Sequence, residues 1–134
     1  MTLNRQWCMG LFQQILEGLD ATPEGSGTAL DNTLMLYTSE FSSGAEHSCN
    51  DLPILLAGSC GGYFKTGNQV EYNIADTSQN KLAYQSKTGT QHLYTTILNA
   101  FGFPDTSFGE LDNGVHGPLS SFGISDHPLS EIIA

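Results

Sequence analysis

The chain has 134 residues, 14 acidic and only 4 basic, for a net charge of −10. Such a length makes one domain or a piece of one, and so acidic a chain offers no basic patch for nucleic acid or an anionic membrane surface. Charged residues make up 13% against a usual ~25%, so the chain is polar through Ser, Thr, Asn, Gln and Gly, while a hydrophobic share of 39% can fill a core.

Residues 3–19 have helical period. Leu3, Trp7, Leu11, Ile15 and Leu19 fall on one stripe, Cys8, Phe12 and Leu16 widen it, and Gln13, Gln14 and Glu17 take the other face. So wide an apolar face calls for a large partner surface, typically a sheet, and places Trp7 in the core. The segment is not expected to be an export signal, because Arg5 and Glu17 interrupt it and no cleavage site follows. No apolar run approaches the ~20 residues of a membrane span.

Asp20 to Leu30, with Pro23, Gly25 and Gly27, reads as a loop. Two short apolar runs follow. Residues 33–38 and 53–57 are predicted strands, the second apolar enough to be buried on both faces. The polar stretch between them is too short for a convincing crossover helix, so the pattern leaves their relative direction open. Thr66-Gly67-Asn68-Gln69 reads as a tight turn between two short strands, and Asn73 to Thr88 as a surface excursion. A second helix is predicted from Gly89-Thr90, with Thr90 as N-cap, a buried stripe of Leu93, Ile97, Leu98 and Phe101, and Gly102 at its C-terminus. Beyond Asp105 the chain is rich in Gly, Ser and Pro, with apolar anchors at Phe108, Leu111, Leu119, Phe122 and Ile124 and one or two helical turns over 126–133. The predicted fold is α/β: a small mixed sheet flanked by helices, in a single domain.

Chemistry gathers between the two central strands. Glu40 closes the first strand, and the following loop carries Glu46, His47, Cys49 and Asp51. Loops at the carboxyl ends of strands are where α/β proteins present their sites. No nucleophile elbow accompanies Ser39, Ser42, Ser43 or Ser48. No Gly-Lys-Ser/Thr follows glycines 58, 61 and 62, which serve a tight turn rather than a phosphate cradle. The three cysteines, Cys8, Cys49 and Cys60, are too few for a disulfide framework. A Cys49–Cys60 bridge and three reduced thiols both stay open. A redox role lacks the Cys-x-x-Cys spacing.

Taken together, Leu30-Asp31-Asn32-Thr33-Leu34, Ser39-Glu40, His47-Ser48, Leu52-Pro53-Ile54-Leu55-Leu56-Ala57-Gly58, Gly61-Gly62 and Thr66-Gly67 resemble the C-terminal part of a family of uncharacterised bacterial proteins named for an HXXSHH motif. The segment from Leu93 to Phe108 matches the family's closing helix and loop, so the resemblance covers nearly the whole chain. The family is distantly similar to the alkaline phosphatase and sulfatase superfamily. The resemblance implies an alkaline-phosphatase-like fold and an exported, metal-dependent hydrolase of phosphate or sulfate esters. In it, metal activates the nucleophile and neutralises the leaving oxyanion. It implies Glu40, His47 and Cys49 as ligands for zinc, manganese or calcium, with Glu46, Asp51 and His92 as supporting partners. Two positions depart from the pattern. Phe41 stands where relatives carry a His or Asn, and Cys49 where they carry a second His. The nucleophile and the first carboxylates of the superfamily belong to its N-terminal half. This chain is therefore expected to be a C-terminal fragment, not itself a competent hydrolase, partnered by the missing N-terminal part or by self-association across an uncovered apolar face. The alternative is a non-catalytic binding or structural module that keeps the scaffold without the metal centre.

Overall fold

A computed structural model describes residues 2–47, 52–72, 88–109 and 128–134. The molecule is mixed helix and small antiparallel sheets, broadly α/β, and its chain divides into two compact units. The first comprises residues 1–40, 52–68 and 134; the second comprises 41–51 and 69–133. No helix among the described residues is long and apolar enough to cross a membrane.

In the first unit, helix α1 spans Thr2–Asp20, as its period predicts. It ends where Thr22 folds back, its hydroxyl donating to the Gly18 carbonyl at 2.8 Å, and Pro23 ends any continuation. Its inward side is not the predicted one. Phe12 is buried, its ring 5.3 Å from that of Tyr37, and Cys8, Leu16 and Leu19 are half-buried. Trp7, expected in the core, is 64% exposed, and Leu3, Leu11 and Ile15 are exposed with it. The reason is the small sheet: a four-residue strand pair covers one side of a helix, not a face this wide.

The predicted loop 20–30 holds structure of its own. Strands β1 (Pro23–Glu24) and β2 (Gly27–Thr28) form an antiparallel hairpin whose two-residue turn begins at Gly25, with φ of +60°. Helix α2 (Ala29–Asn32) follows at once. The Thr28 amide and hydroxyl both donate to the Asp31 carboxylate, at 2.8 and 3.1 Å, satisfying a donor at the helix start.

Strands β3 (Met35–Thr38) and β4 (Ile54–Ala57) pair antiparallel, with Met35 opposite Ala57 and Thr38 opposite Ile54. This settles the direction that the pattern left open. The expected small mixed sheet is instead two separate two-stranded antiparallel sheets among the described residues. Nor is β4 buried on both faces, for Leu55 is 43% exposed. No strand flanks the turn at Gly67, although its φ of +75° fits a turn.

After β4 the chain turns sharply onto α2. Gly58 has φ of +88°, and a Cβ there would collide with the Thr33 carbonyl and lie 2.8 Å from the Leu30 carbonyl oxygen. The Cys60 amide donates to the Thr33 carbonyl at 3.1 Å, and the Gly61 amide and Ser59 hydroxyl both donate to the Asp31 carbonyl at 2.8 Å. Phe64, just beyond, is buried. The Ala134 amide donates to the Tyr63 carbonyl at 2.9 Å.

In the second unit, helix α3 (Thr90–Ala100) starts one residue earlier in capping terms than predicted: Gly89, not Thr90, is the N-cap. Its buried side is His92, Leu93, Thr95 and Thr96, while Ile97 and Leu98 are half-buried and Phe101 is exposed. Polar residues thus take places that the apolar stripe claimed. The Thr96 hydroxyl explains part of this, donating to the His92 carbonyl and accepting from the Leu129 amide, both at 2.7 Å. Leu129 is buried beside it and leads into a single 3₁₀ turn, Ser130–Ile132. At the other end of α3, the Gly102 amide donates to the Asn99 carbonyl and the Phe103 amide to the Leu98 carbonyl, with φ of +84° at Gly102. This is the Schellman pattern that a glycine after a helix serves. Asn99 extends it, its amide donating to the carbonyls of Phe103 and Asp105. The Tyr72 hydroxyl lies 3.5 Å from the Glu131 carboxylate; burial, then that charge, pushes the phenol above its ordinary value. The predicted anchors Leu111, Leu119, Phe122 and Ile124 lie outside the described residues.

Candidate functional site: the loop between β3 and β4

The loop is held at its base by the strand pair. The Thr38 side chain, at the last position of β3, donates to the Pro53 carbonyl at 3.0 Å and ties the two ends together. Glu40 follows two residues beyond β3 and is exposed. It belongs to the first unit, whereas Glu46 and His47 belong to the second.

Glu46 and His47 are exposed in a turn, and His47 has a φ of +49°, a conformation that non-glycine residues seldom adopt. The imidazole of His47 rests against the Phe41 ring, centroids 5.0 Å apart and planes tilted by 49°. Phe41 stands where the resemblance implies a His or Asn, and its ring presents an aromatic surface to His47.

His92 is fully buried in α3. Its environment is the inner side of that helix, with Leu93, Thr95 and Thr96 buried around the same turns. Cys49 and Asp51 lie outside the described residues. Among the described residues no three His, Cys, Asp or Glu side chains come together as a metal ion would require. Of the expected ligands, only Glu40 and His47 are among the described residues.

Cys8 and Cys60 are half-buried thiols, and Cys49, the other member of the bridge that the sequence left open, lies outside the described residues. Cys60 itself has a φ of +49° within the turn that docks onto α2.

A feature the sequence does not announce is the interlock of residues 31–33 with the turn 59–61. The carbonyls of Asp31 and Thr33 accept three hydrogen bonds from Ser59-Cys60-Gly61, two from the backbone amides of Cys60 and Gly61 and one from the Ser59 hydroxyl. Beside this junction lies a polar hollow of about 480 Å³, bordered by Glu24, Asp31, Asn32 and Ser59. Its acidic groups are engaged within the fold: Glu24 accepts from the Asn32 amide at 3.0 Å, and Asp31 from Thr28. The clue was in the sequence. An Asp-Asn-Thr run and a Gly-Ser-Cys-Gly-Gly run are both rich in groups that bond backbone, and each makes most sense as the other's partner.

Comparison of the chain with known protein families, curated proteins and solved structures finds no match to any of the three.

Proposed function

We propose that this chain supplies late metal ligands to an alkaline-phosphatase-like hydrolase of phosphate or sulfate esters, and that it is not a competent hydrolase by itself. The reading rests on the resemblance of its motifs, with Glu40, His47 and Cys49 as the donors. The observation that carries it furthest is the placement of Glu40: exposed, just past the carboxyl end of β3, on a loop whose base is fixed by strand pairing and by the Thr38–Pro53 hydrogen bond. A carboxylate so placed can serve as a hard oxygen ligand. No recognisable phosphate-holding nucleophile accompanies it in this sequence.

The second reading is a non-catalytic module that retains the scaffold. It is favoured by the ring of Phe41 against His47 and by the full burial of His92.

The two separate on metal content. Protein purified without chelator is analysed for bound metal, then titrated with zinc and manganese as wild type and as His47→Ala. The hydrolase reading expects stoichiometric metal that His47→Ala loses. Absence of metal, with no thermal stabilisation by either ion, moves the assignment to the scaffold module. Robust turnover of nitrophenyl phosphate or sulfate by the purified chain would overturn the statement that it is not competent alone.

A further inference from the structure

Two residues of helix α1 break local rules for no reason internal to the fold. Gly10 stands in the middle of the helix, where glycine is less favourable than alanine. A Cβ there would meet nothing within 4 Å, so no close approach inside the chain requires a glycine. Arg5, the chain's single arginine, stands near the helix N-terminus, where the macrodipole disfavours a cation.

Both residues border one hollow. It has a volume of about 570 Å³ and lies between α1 and Leu55 of β4, within the first unit. Small-molecule sites commonly have ~300–1,000 Å³. Met9, Phe12, Leu16 and Leu55 give it apolar walls, and Phe12 is buried. This is not the side of α1 that carries Trp7 and Leu11, for Met9 lies about 160° around the axis from Leu11.

Charge and shape name the occupant. Among the described residues Arg5 is the one charged group on the wall, and the other polar lining residues, Gln6 and Gln13, are neutral. The first carboxylate after Arg5 on α1 is Glu17, about 18 Å farther along the axis, where it accepts from the Gln13 amide at 2.7 Å. In a chain of 14 acidic and 4 basic residues, a cation on an acid-free wall is an exception to the general charge balance. One guanidinium matches one charge, a carboxylate held fork to fork, and the wall offers no second cation for a dianion. The wall runs from Arg5 to Leu16, about 16 Å along the axis. A straight alkyl tail laid along it meets Met9, Leu16 and Leu55 and passes Gly10, where the missing side chain leaves the backbone open to close approach.

We propose that this hollow binds an unbranched alkyl carboxylate, with the carboxylate on Arg5 and the tail between α1 and Leu55. Glu40 and His47 do not border it, and the proposal stands or falls independently of the hydrolase reading.

The test is titration of the isotopically labelled chain with decanoate, followed by NMR shifts of amides and methyl groups. The expected result is saturable shifts at Met9, Gly10, Leu16 and Leu55, with a dissociation constant on the order of 1 mM or below for a ligand of this size. Decan-1-ol and decyltrimethylammonium share the tail and lack the negative charge. Each is expected to bind about tenfold more weakly, as is decanoate to Arg5→Gln, whose helix content by circular dichroism stays unchanged. Gly10→Leu places a side chain in the hollow. It is expected to raise the urea midpoint, because glycine is the poorer helix former, and yet to weaken decanoate binding. A glycine needed only for folding would lose stability instead. Absence of saturable shifts, shifts centred away from this wall, or equal binding of the three amphiphiles overturns the site. Full affinity in Arg5→Gln overturns the seat of the carboxylate, and full affinity in Gly10→Leu overturns the path of the tail.

Discussion

Gly58 is held in a left-handed conformation directly beneath two carbonyl groups, whereas Gly61 has a φ of +72° in open space. The two positions therefore separate two costs of adding a methyl group. Gly61→Ala incurs the conformational cost alone, about 1 kcal/mol. Gly58→Ala incurs that cost and a collision with the Thr33 carbonyl, for about 2–4 kcal/mol in total. Urea unfolding of both variants measures the difference, and equal losses would show that the close approach is readily relieved. Both glycines were legible in the sequence as turn formers. That the turn docks onto Asp31 and Thr33 was not, since hydrogen bonds spanning 28 residues leave no periodic trace. Glu40 and His47 stand out in the sequence as residue types able to bear chemistry, placed after an apolar run. The tilted contact of the Phe41 ring with His47 was hidden, because the sequence marks Phe41 only as a departure from a pattern.

Elements were read well where local pattern decides and poorly where tertiary packing decides. Helices α1 and α3 emerged from their period, and Gly102 from its position past a helix. The inward side of α1 was misread because two apolar stripes on one helix look like a single wide one. Which stripe is covered depends on how many strands pack against it. In α3 the misreading ran the other way: Thr95 and Thr96 are buried although polar, since each hydroxyl donates to a carbonyl one turn earlier, at Gln91 and His92. Thr96 also holds the terminal segment. Thr96→Val keeps the shape but leaves the buried Leu129 amide without its acceptor, for an expected loss of about 1–3 kcal/mol. Faster hydrogen exchange at the Leu129 amide, alongside a lower urea midpoint, checks this assignment. Unchanged exchange would place the anchor of that segment elsewhere.

At the scale of the whole molecule, a net charge of −10 sets the response to salt. Like charges on one chain repel, so raising ionic strength from about 10 mM to about 150 mM, which shortens the screening length from ~30 Å to ~8 Å, is expected to raise the urea midpoint of unfolding. A midpoint that falls with salt would mean that ion pairs outweigh the repulsion. The chain itself crosses between its two compact units four times, at 40/41, 51/52, 68/69 and 133/134. Composition and length fit one domain and carry no sign of this interleaving, because three of the crossings fall beside polar residues in what resemble ordinary loops and the fourth joins Ile133 to Ala134 with no change of composition.

The pairing of β3 with β4 has a consequence for how this sequence can change. Residues 39–53 leave from Thr38 and return to Ile54, which stand opposite each other in the ladder. Ends that are already adjacent make loop length a weak variable: doubling a flexible loop costs only ~0.6 kcal/mol in closure entropy. Insertions and deletions between Thr38 and Pro53 are thus nearly invisible to the strand pair, provided that its four-residue register survives. The stretch that carries Glu40, Glu46, His47, Cys49 and Asp51 is free to drift in length and content while the scaffold beneath it stays fixed.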